Sequence, residues 1–234
     1  MDKKQTHLII GKGEIGTALS KVLNDYSPIC LDFHIDLRII AGEYVIKNPN
    51  IDIMHICFEY SNKFIKSVKN YQKIFKPKYT IIHSSVPVGI SRKCNAMHSP
   101  IIGQHPYLEI AIKIFPKMLA GDKVSEVADE FRRVGLKVIL FDKPETTEAG
   151  KLFLTEYYRI CIEFVKRVKR YCDYYNLNFS EVYRIPNMIY NAGYEKLGYK
   201  EFVRPILEPI KTNISGHCVM ANKKKIKLNE KCVK

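Results

Sequence analysis

Four mostly apolar residues, His7-Leu8-Ile9-Ile10, run directly into Gly11-Lys12-Gly13-Glu14-Ile15-Gly16, after which residues 17–23 place apolar side chains at helical spacing. A buried strand that turns through three glycines into a helix constrains the chain more than any other feature. The first glycine permits the tight turn, the second lets backbone come close to a ligand, and the third lets the helix pack on the strand. The turn leads into a helix N-terminus, whose unpaired N–H groups and positive dipole end favour an anion. The expectation is a cradle for the pyrophosphate of a dinucleotide, with Gly11, Gly13, Glu14, Ile15 and Gly16 as the contact residues.

Short apolar runs separated by amphipathic stretches continue to about residue 141, the pattern of βαβ units and a parallel sheet. Strands are expected at residues 7–10, 27–32, 53–57, 80–83, 96–99 and 137–141. Asp32 closes the second, about 20 residues past the glycines, where a carboxylate accepts hydrogen bonds from the adenosine ribose and favours NAD over NADP. A turn or cap role for Asp32 is the alternative, and His34 or Arg38 nearby would suit a 2′-phosphate.

After Asp142-Lys143-Pro144 the period changes. Residues 147–175 hold no proline and only Gly150, with apolar positions at Leu152, Tyr157, Ile160, Cys161, Phe164, Val168 and Tyr171. That predicts one helix of about 28 residues, roughly 42 Å long. Residues 176–180 end it, Ser180 is expected to cap a short helix, and Pro186, Pro205 and Pro209 are expected to break the remainder into short helical pieces. Tyr157, Tyr158, Tyr171, Tyr174 and Tyr175 are expected as core or dimer contacts rather than a stacking surface for bases. The fold class expected is α/β, a Rossmann-like doubly wound sheet followed by a helical domain with one long central helix. Residues 1–142 form the dinucleotide-binding domain, 143–211 a helical dimerisation and substrate domain, and 212–234 a loop and basic tail.

Composition bounds the remaining classes. A 234-residue chain with 46% hydrophobic and 26% charged residues has material for a full core, and it contains no run of about 18 apolar residues. Residues 1–6 lack the long apolar stretch of a signal peptide, and the seven cysteines form no C-x-x-C pair. Reduced thiols, a soluble protein and a cytoplasmic location, with no membrane partner, are expected. The net charge of +14 invites a nucleic-acid reading. Its lysines are spread along the chain, however, and Lys166, Lys169 and Arg170 share a helix face away from Ile162, Val165 and Val168. A solvated face and an anionic small-molecule substrate are therefore expected, not nucleic acid. Cys30 with His34 and Cys94 with His98 have metal-like spacing but straddle strand ends, so no metal is expected. His98 or His105, following a late strand, would suit a substrate ligand or general acid/base; a satisfied surface histidine beside turn-forming prolines is preferred.

Four segments, in order, resemble the nucleotide-sugar 6-dehydrogenase family, which oxidises UDP-glucose, UDP-N-acetylmannosamine or GDP-mannose to the uronic acid. They are the glycine motif, His83-Ser84-Ser85-Val86-Pro87-Val88-Gly89, Thr147-Glu148-Ala149-Gly150-Lys151-Leu152 with Asn178 to Val182 beyond it, and Ser215-Gly216-His217-Cys218-Val219. The resemblance implies NAD as cofactor, a homodimer joined through the long helix, and a small anionic substrate, with a nucleotide sugar the family's own. It places Cys218 as the nucleophile, Lys151 beside it, and Ser85 where the family has an active-site threonine. A cysteine thiolate can capture an aldehyde as a thiohemiacetal and later carry a thioester for water to hydrolyse. A lysine ammonium stabilises the oxyanion, and a hydroxyl orders water or assists proton transfer.

The departures are specific. Thr155 stands where the family has asparagine, and Asn222 stands four residues after the cysteine where the family has an aspartate. The glutamate expected after Ser99-Pro100 is replaced by Ile101, and Phe164-Val165-Lys166 replaces Phe-Asn-Glu. The sequence ends shortly after Cys218, so the resemblance is to a truncated and divergent member without the C-terminal UDP-binding domain. A catalytically silent dinucleotide-binding regulator or assembly protein is the alternative these changes suggest.

Overall fold

The computed structural model describes residues 4–32, 50–209, 222, 225 and 226. Contacts divide the chain into two compact units, Met1–Leu152 and Phe153–Lys234.

The first unit is built on a sheet of seven described strands: β1 His7–Ile10, β2 Ile29–Leu31, β3 Ile53–Ile56, β4 Tyr79–Ile82, β5 Met97–His98, β6 Lys117–Ala120 and β7 Val138–Phe141. Their order across the sheet is β2-β1-β3-β4-β5-β6-β7. All neighbours are parallel except β5 and β6, which meet antiparallel at His98 and Ala120. Every residue of β1, β3 and β4 is buried, as a parallel sheet covered on both faces requires.

Helices α1 Glu14–Val22, α2 Phe64–Phe75, α3 Ile90–Lys93, α4 Leu108–Ile114 and α5 Val124–Arg133 cover this sheet. The two-residue period of the strands sorts the core into two faces. Leu8, Ile10, Met54, Ile56 and Ile82 pack with Phe64, Val68, Tyr71 and Phe75 of α2. Ile53, Tyr79 and Ile81 pack with Ala18, Leu108, Ile112, Val127 and Phe131 of α1, α4 and α5.

The expected strands all appear, β1 with the expected bounds, β4 one residue earlier and the others shorter, while β6 was not expected. Its sequence, Lys-Met-Leu-Ala, begins with a charged residue that the fold buries, so no apolar run announces it.

A long helix, α6, spans Pro144–Tyr174, starting three residues before the expected boundary because Pro144 serves as its first residue. In the second unit Ile162, Val165 and Cys172 of α6 are buried. Ser180 does not cap a helix: it opens a π-helical turn, Ser180–Arg184, with no side-chain cap bond, which passes into α7, Ile185–Lys196. Pro186 does not break the chain either, because it sits in the first turn of α7, where its missing N–H is not needed. The segment after α7 is tied back by Asn191, whose side chain both donates to the Arg204 carbonyl and accepts from its N–H at 2.9 Å. The Arg204 guanidinium lies 3.6 Å from the centre of the Tyr190 ring.

Candidate functional site

The glycine turn is built as its sequence demands. Gly11 has φ +103°, and its N–H donates to the Leu31 carbonyl at 2.8 Å. A Cβ on Gly16 would lie 1.8 Å from the Gly11 oxygen, so the third glycine is required for α1 to pack against the turn. Gly13 differs: its φ is −70°, it is exposed, and a Cβ there would meet nothing. That open face beside the α1 N-terminus is where a phosphate would come closest to backbone. Among the described residues no side chain caps α1, so the N–H groups of Glu14, Ile15 and Gly16 begin the helix without an internal partner. Lys12 and Glu14 are exposed, Ile15 is half-buried against the core, and Gly16 is buried.

Asp32 follows β2 directly and is half-buried. Burial and the Asp32 carboxylate together raise the Tyr71 phenol above its ordinary pKa. Among the described strands the order reverses direction at β1, with β2 on one side and β3 on the other. The glycine turn and Asp32 lie at the carboxyl ends beside this switch point, the usual ligand crevice of open α/β sheets. His34 and Arg38 lie outside the described residues. The donor set fits a dinucleotide: an open backbone approach, a helix N-terminus for pyrophosphate and a carboxylate for ribose.

The next strands over carry the other expected groups of this unit. Ser85 is half-buried, three residues past β4. Lys151, on the second turn of α6, donates from Nζ to the Ile101 carbonyl at 2.8 Å, three residues past β5. Both therefore belong to the carboxyl edge of neighbouring parallel strands, the same edge as the glycine turn. His98 is a correction to the expected surface histidine. It is buried, with Nδ1 2.8 Å from the Thr147 hydroxyl and Nε2 3.3 Å from the Ser84 carbonyl. Burial pushes its pKa down to about 3, so it is a neutral brace between β5 and α6, not a titrating base. His105 precedes Pro106 across a cis peptide bond and is exposed.

Two buried groups escaped the sequence analysis. The Glu148 carboxylate accepts the Gly89 N–H at 2.5 Å and the Ser91 N–H at 2.7 Å, tying α6 to the start of α3. Gly89, at φ +89°, is the position in this turn that needs glycine. Burial raises the Glu148 pKa despite these bonds. Lys117, 3% exposed, donates to the Ser99 and Pro100 carbonyls at 3.1 and 3.3 Å. Burial, with Lys151 adding to it, lowers its pKa to about 7. A charged residue in a short strand flags neither role without the fold.

In the second unit Asn222 is buried, donating from Nδ2 to Thr155 Oγ1 at 3.3 Å and accepting from Lys225 Nζ at 3.2 Å. Cys218 and its neighbours 215–217 lie outside the described residues. The tyrosines expected as core or dimer contacts are not core in the single chain: Tyr157, Tyr158, Tyr171, Tyr174 and Tyr175 are all exposed. No cluster of histidine, cysteine, aspartate or glutamate among the described residues suits a metal ion. Among the same residues no helix is long and apolar enough to cross a membrane.

Neither a family model nor a curated protein matches the chain in sequence. Solved structures do match in shape. A UDP-D-ManNAc dehydrogenase from Pyrococcus horikoshii superposes with a TM-score of 0.66 at 13% identity, covering 94% of this chain and 64% of that one. An NDP-N-acetyl-D-galactosaminuronic acid dehydrogenase from Methanosarcina mazei gives 0.65 at 14% identity, over 96% and 60%. The chain has the fold of these dehydrogenases. It is similar also to the 3-hydroxyisobutyrate dehydrogenase of Mycobacterium tuberculosis, with a TM-score of 0.59 at 12% identity over 78% and 70% of the two chains. The chain spans between 60% and 64% of the length of the two sugar-nucleotide enzymes. A fold shared by enzymes of such different substrates fixes the architecture and leaves the reaction to the site.

Proposed function

We propose that this protein is an NAD-dependent oxidoreductase acting on an alcohol or hydroxy-acid substrate, and that a nucleotide sugar is the class to test first. The observation that carries the reading is the open backbone at Gly13 beside an uncapped helix N-terminus, braced by the Gly11–Gly16 contact and flanked by Asp32. Gly11, Gly13, Glu14, Ile15 and Gly16 would hold the pyrophosphate through backbone, and Asp32 the ribose hydroxyls, which disfavours a 2′-phosphate. Bound there, the nicotinamide supplies a hydride acceptor for a carbon bearing a hydroxyl.

Around the substrate, Lys151 places a positive charge for a developing oxyanion, its Nζ already oriented by the Ile101 carbonyl. Ser85 orders water or relays a proton. Cys218 would capture as a thiohemiacetal the aldehyde left by a first hydride loss and, after loss of a second hydride to a second NAD, would hold the acyl group as a thioester until water releases the acid. In this reading residues 1–142 bind the cofactor, 143–211 supply the subunit contact through α6, and 212–234 carry the nucleophile. Asn222 completes the predicted site in place of a carboxylate. NADH formation over a panel of nucleotide sugars and small hydroxy acids tests the proposal. Turnover is expected with at least one, reduced at least a hundredfold by Cys218→Ser and Lys151→Met; absence of turnover across the panel would count against it.

A second reading, a dinucleotide-binding protein without catalysis, draws on the Thr155–Asn222 hydrogen bond, which commits the predicted site amide to a structural contact. It predicts NAD binding with no NADH formation from any substrate.

A further inference from the structure

Three histidines form one hydrogen-bonded chain on a single face of the sheet. In the register of β1, β3 and β4, His55 lies two residues further along than His7, and His83 two further than His55, so all three point to the side covered by α1, α4 and α5. His7 Nδ1 lies 2.9 Å from His55 Nε2, His55 Nδ1 lies 2.9 Å from His83 Nε2, and His83 Nδ1 lies 2.7 Å from the Ser99 carbonyl oxygen. All three rings are at least 99% buried, and His55 also stacks on Phe131 of α5.

The carbonyl settles the protons. An oxygen of this kind only accepts, so His83 donates from Nδ1, and its Nε2 lone pair accepts from His55 Nδ1–H. The same logic makes His55 Nε2 accept from His7 Nδ1–H. Three neutral rings thus use their three protons and leave a bare lone pair on His7 Nε2. That lone pair faces Glu130 Oε1 at 3.5 Å, and neither atom has another hydrogen-bond partner among the described residues. Reversing every ring would only move the conflict, setting a lone pair of His83 against the Ser99 oxygen at 2.7 Å. Four contacts and three protons leave one acceptor pair unsatisfied in the interior, a costly arrangement.

We propose that Glu130, His7, His55 and His83 bind one additional proton as a unit in the folded protein, held at the Glu130–His7 contact. The groups around that contact are consistent with it. Arg133 Nη1 holds Glu130 Oε2 at 2.7 Å, the Tyr26 and His7 rings meet edge to face, and burial together with the facing Glu130 raises the Tyr26 phenol above its ordinary pKa. Burial lowers the proton affinity of the His7 ring, while Glu130 and, more weakly, Asp52 oppose that. At the other end burial holds His55 and His83 well below the ordinary imidazole range, with the neighbouring histidines and Lys117 adding to it. The extra proton is therefore kept away from the Ser99 end and next to the carboxylate. This proton site is independent of any cofactor and goes beyond the proposed reaction.

The test compares the wild type with Glu130→Gln, whose side-chain N–H₂ donates permanently where glutamate needs a proton. Between pH 7 and 8.5 unfolded histidines are neutral and glutamate is charged, so only the folded wild type carries this proton, and the site costs the wild type stability relative to the variant as pH rises. The folding constant of Glu130→Gln divided by that of the wild type should rise about tenfold per pH unit across this range, measured by urea unfolding. A ratio independent of pH overturns the proposal. Should the variant fail to fold, wild-type protein labelled with 15N-histidine gives a second reading. His55 and His83 protonated at Nδ1 only, and His7 Nε2 either protonated or with the shift of a hydrogen-bonded acceptor, are expected; a His7 Nε2 with the shift of an unpaired lone pair, or the opposite tautomer at His83, overturns it.

Discussion

Asn222 Nδ2 donates a hydrogen bond to Thr155 Oγ1 at 3.3 Å, joining two of the positions at which the chain departs from the dehydrogenase pattern it resembles. The substitutions are mutually compensating as packing: an amide donor meets a hydroxyl, and Lys225 takes up the amide oxygen. Asn222→Asp is predicted to separate the two functional readings. If the protein is an oxidoreductase with a weakened site, a carboxylate there raises NADH formation at least tenfold, toward the range of general acid–base catalysis. If it is a silent binder, the same change leaves activity at zero.

The glycine turn predicts two opposite outcomes. Gly16→Ala drives a methyl group into the Gly11 carbonyl and should cost about 3 kcal/mol of stability, read from the urea midpoint. Gly13→Ala meets nothing in the protein and has an ordinary φ, so stability should change by less than about 0.5 kcal/mol. Its effect belongs on cofactor affinity, with at least a tenfold loss, because the methyl enters the space a pyrophosphate needs.

Glu148→Gln removes one of two acceptors that the Gly89 and Ser91 N–H groups share and turns an amide donor toward a donor. A loss of about 1–3 kcal/mol is expected by urea unfolding.

Stability against pH should expose two opposed linkages in the first unit. Lys117 has a folded pKa of about 7 against an ordinary 10.5, so above pH 7 the unfolded state binds one more proton and stability rises with pH. The proton at Glu130–His7 has the opposite sign. Between pH 7 and 8.5 the wild type should be nearly flat from these two sites. Lys117→Met should become less stable with rising pH and Glu130→Gln more stable, each by about tenfold per pH unit in the folding constant. Below pH 6.5 the sign is shared. His55, His83 and His98 all have lowered pKa values, the unfolded state takes up their protons first, and stability falls as the solution is acidified.

The exposed tyrosines of α6 lie beside Ile160 at 51% and Phe164 at 47% exposure, too much apolar surface for a lone helix to leave in water. Sedimentation velocity should show a dimer, and Tyr157→Glu with Phe164→Glu should yield a folded monomer. A wild-type monomer at micromolar concentration would contradict the subunit role of α6.

The periodic parts of the fold were legible in the sequence because burial on both faces leaves continuous apolar runs, as in β1, β3 and β4. The glycine turn was legible because each glycine meets a distinct steric requirement. The features that stayed hidden share one property: a polar residue satisfied by a partner distant in sequence. Lys117 disguised β6, Glu148 caps a helix about 60 residues away, and His7, His55 and His83 meet only when three strands align. The spacing of single histidines carries no sign of that alignment. His98 was misplaced to the surface for the same reason, since Thr147 and Ser84, which bury it, are known only from the fold.

The central claim is that the turn at Gly11–Gly16 holds a nicotinamide dinucleotide. Isothermal titration calorimetry of NAD and NADP into the wild type and Gly13→Ala tests it most directly. The account predicts saturable one-site binding, tighter for NAD than for NADP and weakened at least tenfold by the methyl group. No saturable heat with either nucleotide, or identical affinity in the variant, would contradict it.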